Sequence, residues 1–415
     1  MGTPRNEHTA SISELNARLF EKERIEQYLR AEVSELWGHI NRYEKDPFLR
    51  IYLKLTSKFS TMAQRAFSSW PNRTLTTTKD ASNSPVSLET PCDVLLVLPT
   101  DKIEIGGLVS ATKLMKELLL DGFSTRSVSL SHDPSGNEEN EIIFVQKIEE
   151  AGDSKLIIAC GAETVHFVQG YANKKLTKSV LLMQGPDPYF TPKFDDSITF
   201  LQNISKFDLV IAFSPYLQEL ATFWGAQNVV TAILGPDSEI FKLNDSVIRQ
   251  HQIVVPCRYG NEKGLKVLLP TLPYLQKLGW KIVGFGDLPE LSMARFFDDF
   301  VGRLSETETS KLFQCSKLII DPSWIEGLGL TTIEAAKCGC IPIIQKRGGF
   351  EGLFEQRNLP FIEISNFLNP QIVLDAVEQS QNQLTPKRVS DRVSTINWMN
   401  GADIAKKEII KLTNK

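Results

Sequence analysis

The sequence predicts an α/β protein with two Rossmann-like parallel-sheet domains behind an N-terminal helical extension. Three observations carry this. From Cys92 an apolar strand, a glycine-bearing loop, a helix and a second strand follow one another, the order of a parallel sheet with right-handed crossovers. The same alternation starts again after about residue 245. Before both lies a long charged stretch whose apolar residues recur at helical spacing. A chain of 415 residues at 42% hydrophobic content can bury more than one core.

The extension spans 1–70. Within 10–46, Ile12, Leu15, Leu19, Ile25, Leu29, Val33, Leu36, Ile40 and Tyr43 fall mostly three or four apart. That stripe suits a helix packed on its own protein, or a coiled coil that makes a homo-oligomer. Residues 47–70 mix Phe48, Ile51, Tyr52, Leu55, Phe59, Phe67 and Trp70 with Arg50, Lys54, Lys58 and Arg65. Such a basic amphipathic segment docks on protein or lies on an anionic membrane surface. Residues 71–91, rich in Ser, Thr, Asn and Pro, read as a linker.

The first sheet domain is expected over 92–244. Asp93–Pro99 is its first strand, Gly106-Gly107 opens a helix running from Leu108 to Leu120, Gly122 ends it, and Thr125–Leu130 is the next strand. Further strands fall at Leu156–Cys160, Val180–Met183, Leu209–Phe213 and Val229–Leu234. The second domain is expected over 245–396, with strands at Gln252–Pro256, Lys281–Val283, Leu318–Ile320 and Ile341–Ile344 and helices at Glu306–Cys315 and Thr331–Lys337. Residues 397–415 read as a closing helix.

The most informative stretch is Asp321–Gly349, DPSWIEGLGLTTIEAAKCGCIPIIQKRGG. It sets Glu326 and Glu334 eight positions apart, the first in a glycine loop (Gly327, Leu328, Gly329, Leu330) at the entrance of the helix that holds the second. Glycines there let backbone N–H groups approach a ligand, and a helix N-terminus favours phosphate. A second element, Cys257-Arg258-Tyr259-Gly260-Asn261-Glu262-Lys263-Gly264, puts two cations just past the end of a buried strand, where they can neutralise a diphosphate.

Together these strings resemble the donor-binding signature of family 4 glycosyltransferases, with Leu328 for a usual Phe, Lys337 for a usual small residue and Cys257 for a usual Gly. Gly106-Gly107 is similar to the glycine loop after that family's first strand, Gly235-Pro236-Asp237 with Phe241 to its hinge-side motif, and Gly284-Phe285-Gly286-Asp287 to its G-x-G loop. The resemblance covers roughly 92–400 and implies the GT-B fold, two domains facing a cleft, with the last helix crossing back to the first. It implies a metal-independent glycosyltransferase without cofactor, whose donor is a nucleotide diphospho-sugar (dTDP-, UDP- or GDP-linked) and whose acceptor is a glycan or lipid-linked glycan of a bacterial surface polysaccharide. Arg258 and Lys263 would offset charge on the diphosphate, Glu326 would orient the donor sugar, and Glu334 would hold the ribose. Amides of Gly327–Leu330, faced by Gly106 and Gly107, would bind the donor. Gln184 to Pro192 resembles a loop of rhamnan-synthesis-type rhamnosyltransferases, which puts Gln184 and Asp187 on the acceptor or sugar side.

Other classes fit less well. A net charge of −4 argues against a nucleic-acid surface. Cys92, Cys160, Cys257, Cys315, Cys338 and Cys340 are scattered, and Cys338-x-Cys340 has no partner pair, so reduced thiols and no metal site are expected. Met1–Ala10 is polar, no apolar run reaches the length of a membrane span, and a cytoplasmic place, either free or peripheral at the inner face of the membrane, is expected. The rivals are a phosphorylase-like enzyme on the same fold, and a catalytically degenerate GT-B scaffold acting through its N-terminal coiled coil.

Overall fold

The computed structural model describes residues 90–414, apart from 102–105, 132–141, 146–147, 187–193, 346–347, 352, 354–358 and 360. The predicted extension 1–70, the linker up to residue 89 and Asp187 lie outside the described residues. The described residues fall within one compact unit, Asn83–Lys415.

That unit holds two sheets. The first contains β1 (Cys92–Leu98), β2 (Thr125–Ser129), β3 (Ile142–Phe144), β4 (Ser154–Cys160), β5 (Lys178–Met183), β6 (Leu209–Ala212) and β7 (Val229–Thr231). Their order is β3-β2-β1-β4-β5-β6-β7, all parallel. Val94 to Leu98 are each 0% exposed, the unbroken apolar run required of a strand covered on both faces. Helices α1 (Gly106–Leu120), α2 (Ala162–Lys175), α3 (Phe194–Asn203) and α4 (Pro215–Phe223) make crossovers. Ser214 caps α4 by accepting from Leu217 N–H, with Pro215 in the first turn.

The second sheet contains β8 (Gln252–Cys257), β9 (Lys281–Gly286), β10 (Asp299–Phe300), β11 (Leu318–Asp321), β12 (Ile341–Ile344) and β13 (Ile362–Glu363), ordered β10-β9-β8-β11-β12-β13 and again parallel. Short helices α5 (Leu265–Leu268) and α6 (Leu272–Lys277) follow β8, α7 (Glu306–Cys315) precedes β11, and α8 (Leu330–Lys337) leads to β12. A Ser305/Glu308 capping box starts α7. The chain ends in α9 (Pro370–Gln383), α10 (Pro386–Val393) and α11 (Trp398–Thr413).

One expected loop is strand. Gly284 and Gly286 extend β9 beyond Val283. Glycine stands at 284 because Phe297 and Phe300 lie over the backbone, where an added Cβ would come within 2.9 Å of the Phe297 ring. The resemblance implied a loop here, and packing across the sheet face decided otherwise.

Both sheets reverse their strand order once, between β1 and β4 and between β8 and β11. The crevice outside the strand carboxyl ends at such a point is where open parallel sheets take ligands. Two crossings join the halves around it. Trp398 N–H donates to the Pro236 carbonyl at 3.0 Å, and Gly235 has only backbone and Ile396 beside it. Lys337 is 4% exposed and its Nζ reaches Ser238 Oγ at 3.0 Å and the Ser394 carbonyl at 3.3 Å, tying one crossing to the other. Helix α11 then packs Trp398, Ala402, Ala405 and Ile409 into the core of the first sheet. Its Lys406 pairs with Asp121 at 3.0 Å and Glu117 at 3.6 Å. Among the described residues no helix is long and apolar enough to cross a membrane.

Two effects oppose each other at Gly401 in α11. Alanine is favoured over glycine in a helix by about 0.5–1 kcal/mol. Yet a Cβ at 401 would sit 2.1 Å from the Ile233 carbonyl oxygen, and overpacking against rigid backbone costs about 1–3 kcal/mol. Packing should win: Gly401→Ala is predicted to lower the urea midpoint at unchanged slope, and a raised midpoint would refute the close approach.

Candidate functional site

The second crevice gathers its charges through strand register. Ile253 lies opposite Leu318 and Val254 opposite Ile319, so Asp321, the last residue of β11, ends level with the end of β8, beside Arg258. Arg258 Nη2 donates to Asp321 Oδ1 at 3.0 Å, to Oδ2 at 2.8 Å and to Ser323 Oγ at 3.0 Å. Arg258 Nη1 meets Glu326 Oε1 at 3.0 Å, and Lys263 Nζ meets the same oxygen at 3.1 Å. Two cations thus converge on one carboxylate oxygen.

Asp321 is fully buried, and its carboxylate also accepts from the Ser323 hydroxyl and N–H and from the Thr332 hydroxyl at 3.0 Å. Burial pushes this carboxyl up, but Arg258 and Ser323 more than reverse that and hold it below the ordinary range. Arg258, in turn, is made harder to deprotonate by Asp321 and Glu326, which outweigh its own desolvation. The arrangement keeps both ions charged and fixes the guanidinium plane.

The glycine loop beside them is shaped by contacts only glycine permits. Gly329 has φ 78° and caps α8 without a side-chain bond; a Cβ there would run into the Phe350 ring. Gly264 at φ 64° lies against the Pro322 carbonyl. Among the described residues, no backbone carbonyl accepts from the N–H groups of Gly327, Leu328 or Gly329. With the unsatisfied first turn of α8, they form a set of donors beside Arg258 and Lys263.

The first sheet contributes from its own reversal point. Gly106 and Gly107 open α1 after β1. Gln184, just past β5, lies against Gly107, whose Cβ would overlap the Gln184 Oε1, and donates Nε2–H to Cys160 Sγ at 3.3 Å. Its carbonyl abuts Gly327 of the other half. The structure therefore brings Gln184, Gly107, Gly327, Glu326, Arg258 and Lys263 to one crevice.

Glu334 lies one turn into α8, half-buried. Burial, reinforced by Glu306 and only partly relieved by Arg258, raises its carboxyl to about 8. No hydrogen bond or ion pair joins it to Glu326. Cys257, where the resemblance has Gly, packs into the second core, and burial pushes its thiol up to about 12. Asp287 pairs with Arg303 at 2.6 Å, and its N–H donates to the Cys257 carbonyl at 2.9 Å. Sequence reading did not single out Asp321, Ser323, Thr332 or Ser214. The signal for Asp321 was present: a carboxylate closing a fully apolar strand, Leu318-Ile319-Ile320-Asp321.

Known proteins bear on this geometry. Residues 250–366 match the family described as Glycosyl transferases group 1. A glycogen synthase of Aquifex aeolicus is 30% identical over 98 residues, 22% of this chain and 21% of that protein. The match thus spans about a fifth of that relative's length. Among solved structures, sucrose-phosphate synthase from Thermosynechococcus elongatus superposes with a TM-score of 0.63 at 14% identity, covering 78% of this chain and 99% of that one. Anabaena Alr3699/HepE, in complex with UDP-glucose, gives 0.61 at 15% identity over 77% and 98%. These likenesses show the fold, GT-B.

Glu334 leaves a mark on stability. Its folded-state carboxyl titrates near 8 against an ordinary value of 4.5, so the folded chain keeps a proton that the unfolded chain has lost between those values. The stability that this one group contributes is fully present below about 4.5 and is lost as pH rises towards 8. Glu334→Gln is predicted to flatten the fall of the urea midpoint between pH 5 and 8; an unchanged slope would show that Glu334 is not the group responsible.

Proposed function

We propose that this chain is a glycosyltransferase that binds a nucleotide diphospho-sugar in the crevice and passes the sugar to a glycan hydroxyl. The observation that carries the reading is the convergence of Arg258 and Lys263 on Glu326 Oε1 beside the glycine loop. Two cations and a row of amide donors at the carboxyl ends of parallel strands match the needs of a diphosphate.

In this reading the diphosphate takes the place of Glu326 as partner of Arg258 and Lys263. As the bond from the sugar C1 to the phosphate oxygen breaks, negative charge grows on the leaving diphosphate, and the two cations offset it. Charge stabilisation of this kind is usually the largest contribution such a site makes. The bond from C1 to the acceptor oxygen forms, and the acceptor proton passes to the leaving diphosphate. Glu326, released from the cations, accepts from hydroxyls of the donor sugar. The amides of Leu328 and Gly329 hold phosphate, and Glu334 accepts from the ribose. Gln184 lies on the sugar side. The cations do the work that a metal ion does in other transferases.

A uridine donor is the first to test, because Alr3699/HepE, which has the same fold, is known with UDP-glucose. A dTDP-rhamnose donor rests on Gln184 to Pro192, of which 187–193 lie outside the described residues. A surface-polysaccharide acceptor reached at a membrane through 47–70 is the finer form of the same reading.

The test is nucleotide binding. UDP, dTDP and GDP are titrated against wild type and Lys263→Ala in a thermal-shift assay. A nucleotide at 100 times its dissociation constant should stabilise wild type by about 2.7 kcal/mol. Loss of the lysine should weaken binding by at least tenfold, about 1.4 kcal/mol. Failure of every nucleotide to stabilise wild type would favour the degenerate scaffold.

A further inference from the structure

The glycine loop is held from both halves of the molecule. The Glu326 carbonyl accepts from Gly349 N–H at 2.7 Å, within the second half. The next carbonyl, that of Gly327, accepts from the Ser214 hydroxyl at 2.5 Å, a buried bond that spans 113 positions and comes from the start of α4 on the first sheet. Ser214 is 0% exposed. The same oxygen accepts from Leu217 N–H at 3.2 Å, so its proton is free to point at Gly327. On the other side, the Gln184 carbonyl presses on Gly327 so closely that only a hydrogen fits there.

We infer that Ser214 is a positioning residue that couples the seating of the first domain to the aim of the donor amides. The inference rests on the reading above and deepens it. A peptide unit is planar and trans, so fixing the Gly327 carbonyl fixes the Leu328 N–H in the opposite direction. That N–H has no backbone acceptor among the described residues and lies in the loop assigned to phosphate. Glycine at 327 has wide conformational freedom, so the loop needs ties on its carbonyls to keep one orientation. One tie is internal; the other exists only while α4 and the loop stay together. Arg258, Lys263 and Glu334, which hold the nucleotide end, all belong to the second half and do not depend on Ser214.

The expected outcome therefore separates binding from turnover. Four proteins are compared: wild type, Ser214→Ala, Ser214→Gly and Ser214→Thr. Glycine keeps an acceptable helix cap without the hydroxyl, and threonine keeps both. Release of UDP from UDP-glucose, or from the sugar nucleotide that binds best, should fall at least tenfold in kcat for alanine and glycine. Affinity for UDP alone should change less than threefold, and threonine should retain most of the rate. Hydrogen exchange of the unliganded protein gives a readout independent of turnover: amides of 324–333 should exchange faster in the alanine and glycine variants than in wild type and threonine.

Wild-type turnover in the alanine and glycine variants would overturn the inference. So would a threonine variant as slow as alanine, or loop exchange indifferent to the hydroxyl. A wild type inert to every sugar nucleotide would sink the proposed reaction and with it the positioning role, while the exchange comparison would still decide whether Ser214 ties the loop.

Discussion

A buried carboxylate governs this site. Asp321 ends a fully apolar strand with no solvent around it, and it can stay ionised there only because Arg258, Ser323 and Thr332 surround it with donors. Removing one member of such a set leaves a buried charge or donor uncompensated, at a cost of several kcal/mol. The arrangement is thus poor as a source of net stability but strong as a constraint on geometry. It fixes the Arg258 guanidinium, and the guanidinium with Lys263 then fixes Glu326.

The rest of the fold supplies the place for that cluster. Parallel strands bring β8 and β11 side by side at the point where strand order reverses, so that residues 63 apart in sequence meet through one Arg258–Asp321 contact. Lys337 binds the two crossings between halves, and α11 returns to the first core. A mobile relation between the halves would leave the glycine loop with one tie instead of two. The packing of Gly235 and Gly401 against backbone from other elements limits how those crossings can slide.

Much of the fold was legible because apolar runs and glycine punctuation are local signals. The strand Ile341–Ile344 and the helix Glu306–Cys315 have the limits expected from sequence. Helices such as α2, with several charged and polar residues and weak periodicity, were not anticipated. Gly284 shows the opposite error: a residue that looks like a break is demanded by two phenylalanines 13 and 16 positions further along the chain that pack against it in space. At the site, the motif-bearing residues Arg258, Lys263 and Glu326 come together. Asp321 and Ser214 escaped notice because their roles depend on partners 63 and 113 positions away, which no local spacing encodes. Lys337 looked like a mild departure at a small-residue position and is a buried brace.

The central claim is that Arg258 and Lys263 are a diphosphate site held in readiness by Glu326. A crystal structure with UDP tests it most directly. The account requires phosphate oxygens about 3 Å from the Arg258 and Lys263 nitrogens and from amides of the Gly327–Leu330 loop, with Glu326 no longer shared between the two cations. UDP bound elsewhere, or bound with both cations still paired to Glu326 and no phosphate beside them, would contradict it.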